Sequence, residues 1–318
     1  MSEKIVFMGT PDFAVESLKQ IIENGENVAA VVTSPDRPAG RGQQLRESAV
    51  KQFAVSQNIP VLQPEKLKAE EFITALKDIN ADLFVVVAFR MLPEVVWDMP
   101  AKGTINLHGS LLPKYRGAAP INWAVINGDK ETGATTFFIE KEIDTGKIID
   151  NVKIPIGDED SAGSIHDKLM VAGATLLTKT IREIFNGTAT AKDQADLLAE
   201  SELKHAPKIF KPDCKINWDD STANIYNKIR GLSPYPAAWT ALQPEEGKTK
   251  SLKIFQTKPI VDGNNHAGEI ALKEDGLYFG TNDGWLKIEH LQLEGKKRMP
   301  SDQFVQGFKF DAYSLVIH

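Results

Sequence analysis

The chain is 318 residues long, which suits two domains of ordinary size and excludes a single small module. Hydrophobic residues make up 42% and charged residues 25%, and no run approaches the ~18 uninterrupted apolar residues of a membrane-spanning helix, so a folded protein outside the membrane is expected. The net charge of −6 is uneven: residues 1–203 carry 21 basic and 29 acidic side chains, residues 204–318 carry 16 and 14, and only the carboxy-terminal part has the sign that suits an anionic partner.

The first residues run straight into an apolar strand at 4–8, without the cationic, apolar and small-residue pattern of a leader, and the expected location is the cytoplasm. After that strand come a turn at Gly9-Thr10-Pro11-Asp12 and a helix with Ala14, Leu18, Ile21 and Ile22 on one face. The alternation continues with a strand at 28–32, helices at 48–56 and 64–77, and the apolar run 83–88. Strands apolar at consecutive positions are buried on both faces, which predicts a Rossmann-like, mostly parallel sheet flanked by helices, with ligands beyond the carboxyl ends of its strands. A strand at 103–107 ends at His108, a helix follows at 118–127, and strands are expected at 135–140 and 147–154. Ser164, with Asp167 three residues on, is expected to cap a helix bearing Ile165, Leu169, Ala172 and Leu176.

Residues 187–208 lack a persistent apolar period, which places a linker at 190–207 between a first domain at 1–189 and a second at 208–318. Beyond the linker, a helix at 222–230 precedes alternating β-formers at 239–242, 252–257, 268–272, 277–279 and 285–291, the pattern of a small β-barrel. Cys214 is the only cysteine, so an intrachain disulfide and a multi-cysteine zinc site are excluded.

Chemistry concentrates at the strand ends. Gly9-Thr10-Pro11 lacks the further glycines of a dinucleotide loop, and there is no Gly-Lys-Ser/Thr element, so the turn reads as the wall of a cleft and not as a nucleotide cradle. Asn106 and His108, two apart on a strand, point to the same face, and an amide beside an imidazole suits an oxyanion forming on a carbonyl carbon. Spacing alone favours the plainer reading, a histidine and an asparagine satisfying backbone groups in a turn. Asp144 sits in a turn between two strands, where an aspartate commonly binds backbone amides, but over the cleft it would orient His108 and favour its charged form. Ser110 beside His108 leaves a Ser-His-Asp hydrolase open, although no G-x-S-x-G elbow is present. The loop at 34–42, with Arg37 and Arg41 among prolines and glycines, reads either as a cationic rim of the cleft or as a solvated loop.

The block Asn106-Leu107-His108-Gly109-Ser110-Leu111-Leu112-Pro113 and its continuation to Ile121, together with Asp144-Thr145-Gly146, resembles the 10-formyltetrahydrofolate-dependent formyltransferases. The run 5–14, the arginine loop 35–42 and the segment 231–239 (Gly-Leu-Ser-Pro-Tyr-Pro-Ala-Ala-Trp) resemble the members that act on tRNA, so the likeness covers nearly the whole chain. One departure is Arg90 in Ala88-Phe89-Arg90-Met91-Leu92-Pro93, where many tRNA-acting members carry a smaller residue and the glycinamide-ribonucleotide relatives carry a bulky one.

The resemblance implies a catalytic triplet of Asn106, His108 and Asp144 in a Rossmann-like domain, and an OB-like barrel that helps to hold tRNA. It implies the co-substrate 10-formyltetrahydrofolate, lying along Phe89, Arg90, Met91, Leu92, Ser110, Leu111, Leu112, Pro113 and Ile143. Initiator methionyl-tRNA is the implied partner, with Arg37, Arg41, Lys208 and Lys211 as its contacts, in a monomer that uses no metal. Three other readings compete: a formyltransferase for a small amine, a formyl-folate hydrolase, and a silent tRNA- or folate-binding protein. The arginine loop and the second domain disfavour the first two, and the intact triplet disfavours the third.

Overall fold

The computed structural model describes residues 3–39, 44–197, 203–308, 310 and 312–317. The chain divides into two compact units, the first made of Met1–Pro120, Thr132–Ile154 and His166–Ala206, the second of Ile121–Glu131, Pro155–Ile165 and Pro207–His318.

In the first unit the apolar run Ile5 to Met8 has no exposed surface and forms β1 (Lys4–Gly9). It leads through α1 (Asp12–Glu23) to β2 (Asn27–Val32), then to an antiparallel pair, β3 (Arg37–Ala39) with β4 (Gln44–Arg46). After α2 (Ala49–Ser56), whose first turn Ser48 caps by accepting from the Lys51 amide, come β5 (Val61–Leu62), α3 (Glu70–Ile79) and β6 (Leu83–Val87). A single helical turn, α4 (Glu94–Trp97), separates β6 from β7 (Thr104–His108). The two-residue β8 (Arg116–Gly117) follows, then α5 (Pro120–Ile126), which beyond Pro120 belongs to the second unit, then β9 (Glu131–Phe138), β10 (Ile148–Pro155) and the long α6 (Ala162–Phe185), whose residues from His166 on belong to the first.

The sheet runs β10-β9-β7-β6-β1-β2-β5. The pairs β1/β2, β1/β6, β2/β5 and β6/β7 are parallel, while β7/β9 is antiparallel. Connections leave β1 towards β2 on one side and reach β6 on the other, which puts the topological switch point beside the carboxyl ends of β1, β6 and β7, where the chain turns at Gly9, Ala88 and Gly109.

Two expected helix starts move. The helix expected from 64 begins at Glu70, because the carbonyls of Pro64 and Glu65 are taken by the Arg90 guanidinium instead of by amides four residues on. The cap of α6 is Ser161, not Ser164: Ser161 Oγ accepts from the Ser164 amide, and Ser164 Oγ accepts in return from the Ser161 amide.

Where it is described, the stretch read above as a linker is built into the first unit. Lys192 and Ile148 exchange backbone hydrogen bonds, Gln194 is buried, and β11 (His205–Ala206) pairs in parallel with β8.

The second unit holds α7 (Thr222–Leu232), capped by Ser221, and β12 (Ala238–Pro244), β13 (Lys250–Val261), β14 (Ile270–Lys273), β15 (Gly276–Thr281) and β16 (Gly284–Leu293). Three short elements went unread in the sequence: β17 (Met299–Pro300), α8 (Ser301–Gly307) and β18 (Tyr313–Leu315). The sheet order β14-β15-β16-β13-β12-β18 is antiparallel throughout, and β17 adds to β16. Two register shifts near Gln256 bend the long β13, as closure towards a barrel requires. Trp218, Ile254, Phe279, Leu286, Ile288 and Leu291 fill the interior, and the Trp218 indole donates to Thr240 Oγ1.

Candidate active site

Strand alternation puts Asn106 and His108 on one face of β7, with Ile105 and Leu107 buried against the other. The His108 ring is buried, with Nε2 2.9 Å from the Tyr115 carbonyl oxygen. A carbonyl only accepts, so Nε2 carries a hydrogen and donates it, which leaves Nδ1 as the nitrogen available for chemistry. That nitrogen lies 3.9 Å from Asp144 Oδ2, close enough for charge to act and too far for a direct hydrogen bond. The half-buried Asn106 amide has no hydrogen-bond partner among the described residues.

Asp144 adopts the left-handed conformation, φ 56°, which a short polar side chain tolerates better than most. Its Oδ2 accepts from the Gly117 amide at 2.9 Å, and Oδ1 has no partner among the described residues. The sequence thus brings all three residues of the triplet to one place.

Ser110 does not sit there as a nucleophile. It is fully buried, its hydroxyl donates to the Lys114 carbonyl at 2.7 Å, and its own carbonyl accepts from Thr135. Leu112 and Pro113 are buried with it, while Leu111 is half-buried.

The residues after β6 are more open. Met91 is 72% exposed and Ile143 60%, high values for apolar side chains that no neighbour covers. A cavity of about 760 Å³ is lined by Arg90, Met91, Leu92, Pro93 and Trp97, with Lys68 and Lys141 at its edge. The Arg90 guanidinium is spent on the Pro64 and Glu65 carbonyls, lies 5.3 Å from the Phe89 ring centroid, and keeps a buried Nε without a partner. Burial pulls the Arg90 pKa below its ordinary value. A largely apolar wall of this size fits a flat heteroaromatic ring.

Of the cations expected to meet tRNA, Arg37 is exposed in β3, while Arg41 lies outside the described residues. At the base of that loop Asp36 accepts from Lys51 and Gln63, and the Lys51 ammonium holds its carboxyl below the usual value. In the second unit exposed Lys208 lies over the Phe210 ring, and exposed Lys211 and half-buried Lys215 both approach the Trp239 ring.

Sequence reasoning missed the supports. Gln194 donates to the carbonyls of Asp144 and Gly146 and accepts from Arg116, while Tyr115 and Gly117 offer backbone groups to His108 and Asp144. Only Gly117 left a signal: its φ is 125°, and a Cβ there would meet the Ala206 carbonyl oxygen at 2.5 Å.

Comparison with known proteins gives first the class. The formyl transferase family model matches residues 3–181, and the model of the formyl transferase carboxy-terminal domain matches residues 208–309. A solved N-formyltransferase from Helicobacter canadensis, in complex with folinic acid and dTDP-3-aminofucose, shares the fold at a TM-score of 0.63 and 23% identity, over 93% of this chain and 100% of that one. Much nearer in sequence are the methionyl-tRNA formyltransferase of Bacteroides thetaiotaomicron, 52% identical over 98% of both chains, and that of Parabacteroides distasonis, 55% identical over 96% of both. This chain belongs to the methionyl-tRNA formyltransferase family.

Proposed function

We propose that the protein moves the formyl group of 10-formyltetrahydrofolate to the α-amino group of initiator methionyl-tRNA, with Asn106, His108 and Asp144 as its catalytic residues. The observation that supports this most is the unspent Asn106 amide on the same strand face as His108, whose ring Tyr115 orients and Asp144 faces.

The neutral amine attacks the formyl carbon, a C–N bond forms, and the π pair moves to oxygen. The Asn106 amide and the Nδ1 hydrogen of a protonated His108 donate to that oxygen, where fixed donors act on charge that appears only in the transition state. Asp144 supports the charged ring from 3.9 Å without claiming the Nδ1 hydrogen for itself. The free Oδ1 of Asp144 takes the proton that the attacking nitrogen must lose and delivers it to N10 as the C–N10 bond breaks. The products are formylmethionyl-tRNA and tetrahydrofolate, and no bond to the protein is needed.

The pterin and its linker lie along Phe89, Arg90, Met91, Leu92 and Ile143, backed by Ser110, Leu111, Leu112 and Pro113. Arg37 and Arg41 meet the acceptor arm of the tRNA, and Lys208 and Lys211 meet phosphates beside the rings of Phe210 and Trp239. One chain supplies every catalytic group, so a monomer suffices, and its substrates place its work in the cytoplasm. The test is incubation with 10-formyltetrahydrofolate labelled in the formyl group and charged initiator tRNA. Label in N-formylmethionine after deacylation is expected; label released as formate, or retained on folate, would overturn the reading.

A further inference from the structure

We propose that Gln194, far along the chain from the triplet, is the positioning residue that sets Asp144 against His108; the inference rests on the catalytic assignment above. The amide is buried and every polar valence of it is spent. Oε1 accepts from Arg116 Nε at 3.0 Å and Nη2 at 2.7 Å, while Nε2 gives its hydrogens to the carbonyls of Asp144 at 2.9 Å and Gly146 at 2.8 Å. The orientation is unambiguous, because a guanidinium only donates and a carbonyl only accepts. No other side chain of this length serves: a glutamate would satisfy Arg116 but turn lone pairs on two carbonyls, and a methionine would leave two donors and two acceptors stranded.

The loop needs this hold. Glu140, Lys141, Glu142 and Ile143 are exposed, so burial does not fix the approach to Asp144, and Asp144 itself holds a left-handed φ. The neighbours Arg116 and Gly117 grip the aspartate from two ends, Gly117 through its amide on Oδ2 and Arg116 through Gln194 on the Asp144 carbonyl. This pair is in turn held by β11: the Tyr115 amide donates to the Lys204 carbonyl, the Ala118 amide to that of Ala206, and β8 pairs with β11. The same short segment therefore orients His108, through the Tyr115 carbonyl, and Asp144, through the Gly117 amide. Gln194 completes it by fixing the backbone from which the Asp144 side chain springs.

The test is a kinetic cycle with purified full-length protein and saturating substrates, well below the melting temperature. Gln194→Ala should lower kcat on the order of 10–10², the scale of displacing a reacting group by about 1 Å, while KM for both substrates stays within about threefold. In an Asp144→Asn background the same substitution should cost less than about threefold, because the group through which it acts is already silent. A loss of equal size in both backgrounds, a loss confined to KM, or no loss would overturn the proposal. If Gln194→Ala does not fold, the cycle is read with Gln194→Glu, which keeps the volume and the Arg116 pairing and carries the same expectations. Wild-type protein run alongside separates the two ideas: if it does not formylate methionyl-tRNA, the functional reading fails, whatever the ratios among variants.

Discussion

Asn106→Ala tests the site most directly, because the structure predicts two quantities with opposite behaviour. The amide makes no hydrogen bond among the described residues and is only half-buried, so its removal breaks no such bond, and stability should change by no more than about 0.5 kcal/mol. If the amide donates to the forming oxyanion, the loss appears in turnover alone, at about 10²–10³ in kcat, or about 2.7–4 kcal/mol of transition-state stabilisation. Single-turnover formylation with both substrates saturating isolates the chemical step from product release, and a thermal melt on the same samples checks the fold. Folate KM should stay near wild type, since the donor serves the transition state more than the ground state. A decrease below about threefold, worth ~0.7 kcal/mol, removes Asn106 from the mechanism, and a large fall in melting temperature shows that the amide has a structural partner after all.

Asp144→Asn keeps an oxygen for the Gly117 amide but removes the charge facing His108, and kcat should drop on the order of 10²–10⁴, the range of a lost acid–base group, without loss of fold. Unchanged turnover would reduce Asp144 to a turn residue. Arg41→Ala should lower kcat/KM for methionyl-tRNA and flatten its salt dependence by about one phosphate contact, with folate KM intact; a changed folate KM with an intact salt slope would assign the loop to the co-substrate. Cys214 is buried, and burial pushes its thiol pKa up, so a thiol reagent should modify the native protein far more slowly than the unfolded one. The linkage has a definite sign: above the unfolded thiol pKa of about 8.5 the unfolded chain loses a proton that the folded chain keeps, so this group's contribution to stability falls as pH rises there. A native alkylation rate equal to the unfolded one would contradict the burial.

What could be read from the chain beforehand was whatever local periodicity encodes. Residues 5–8 and 83–87 are apolar at every position and became the buried runs of β1 and β6, and the two-residue spacing of Asn106 and His108 put both on one face of β7. What escaped depends on partners distant in sequence. Leu67 continues a helical apolar spacing, yet 64–69 is not helix, because Arg90, more than twenty residues on, claims the carbonyls that a helix would use. Gln194 sits in a stretch with no period at all, and its partners lie 48, 50 and 78 residues away. A polar residue whose role is to saturate carbonyls leaves no pattern in its own neighbourhood, so composition alone made that stretch look like a tether.

The division of the chain also bears on how the protein is made. The polypeptide passes between the two units five times, so the second unit begins with Ile121–Glu131 and Pro155–Ile165 long before Pro207–His318 exist. Those early segments have their partners at the far end. The Asn122 amide donates to the Gly231 carbonyl, the Trp123 indole to that of Pro207, and Arg230 binds the carbonyls of Gly157 and Asp160. A nascent chain emerging from the ribosome can therefore complete the sheet of the first unit while its two excursions, bonded to each other where Lys130 meets Ile156 and Asp158, wait for the rest of their unit, and Trp123 and Ile126 stay without their final neighbours until the last third has been synthesised. Truncation after the first unit leaves Trp123 and Ile126 without their partners, and expression of residues 207–318 alone omits two of the three strips from which the second unit is assembled. Halves of this protein should thus be supplied together, as two fragments in one cell, if either is to be obtained in soluble form.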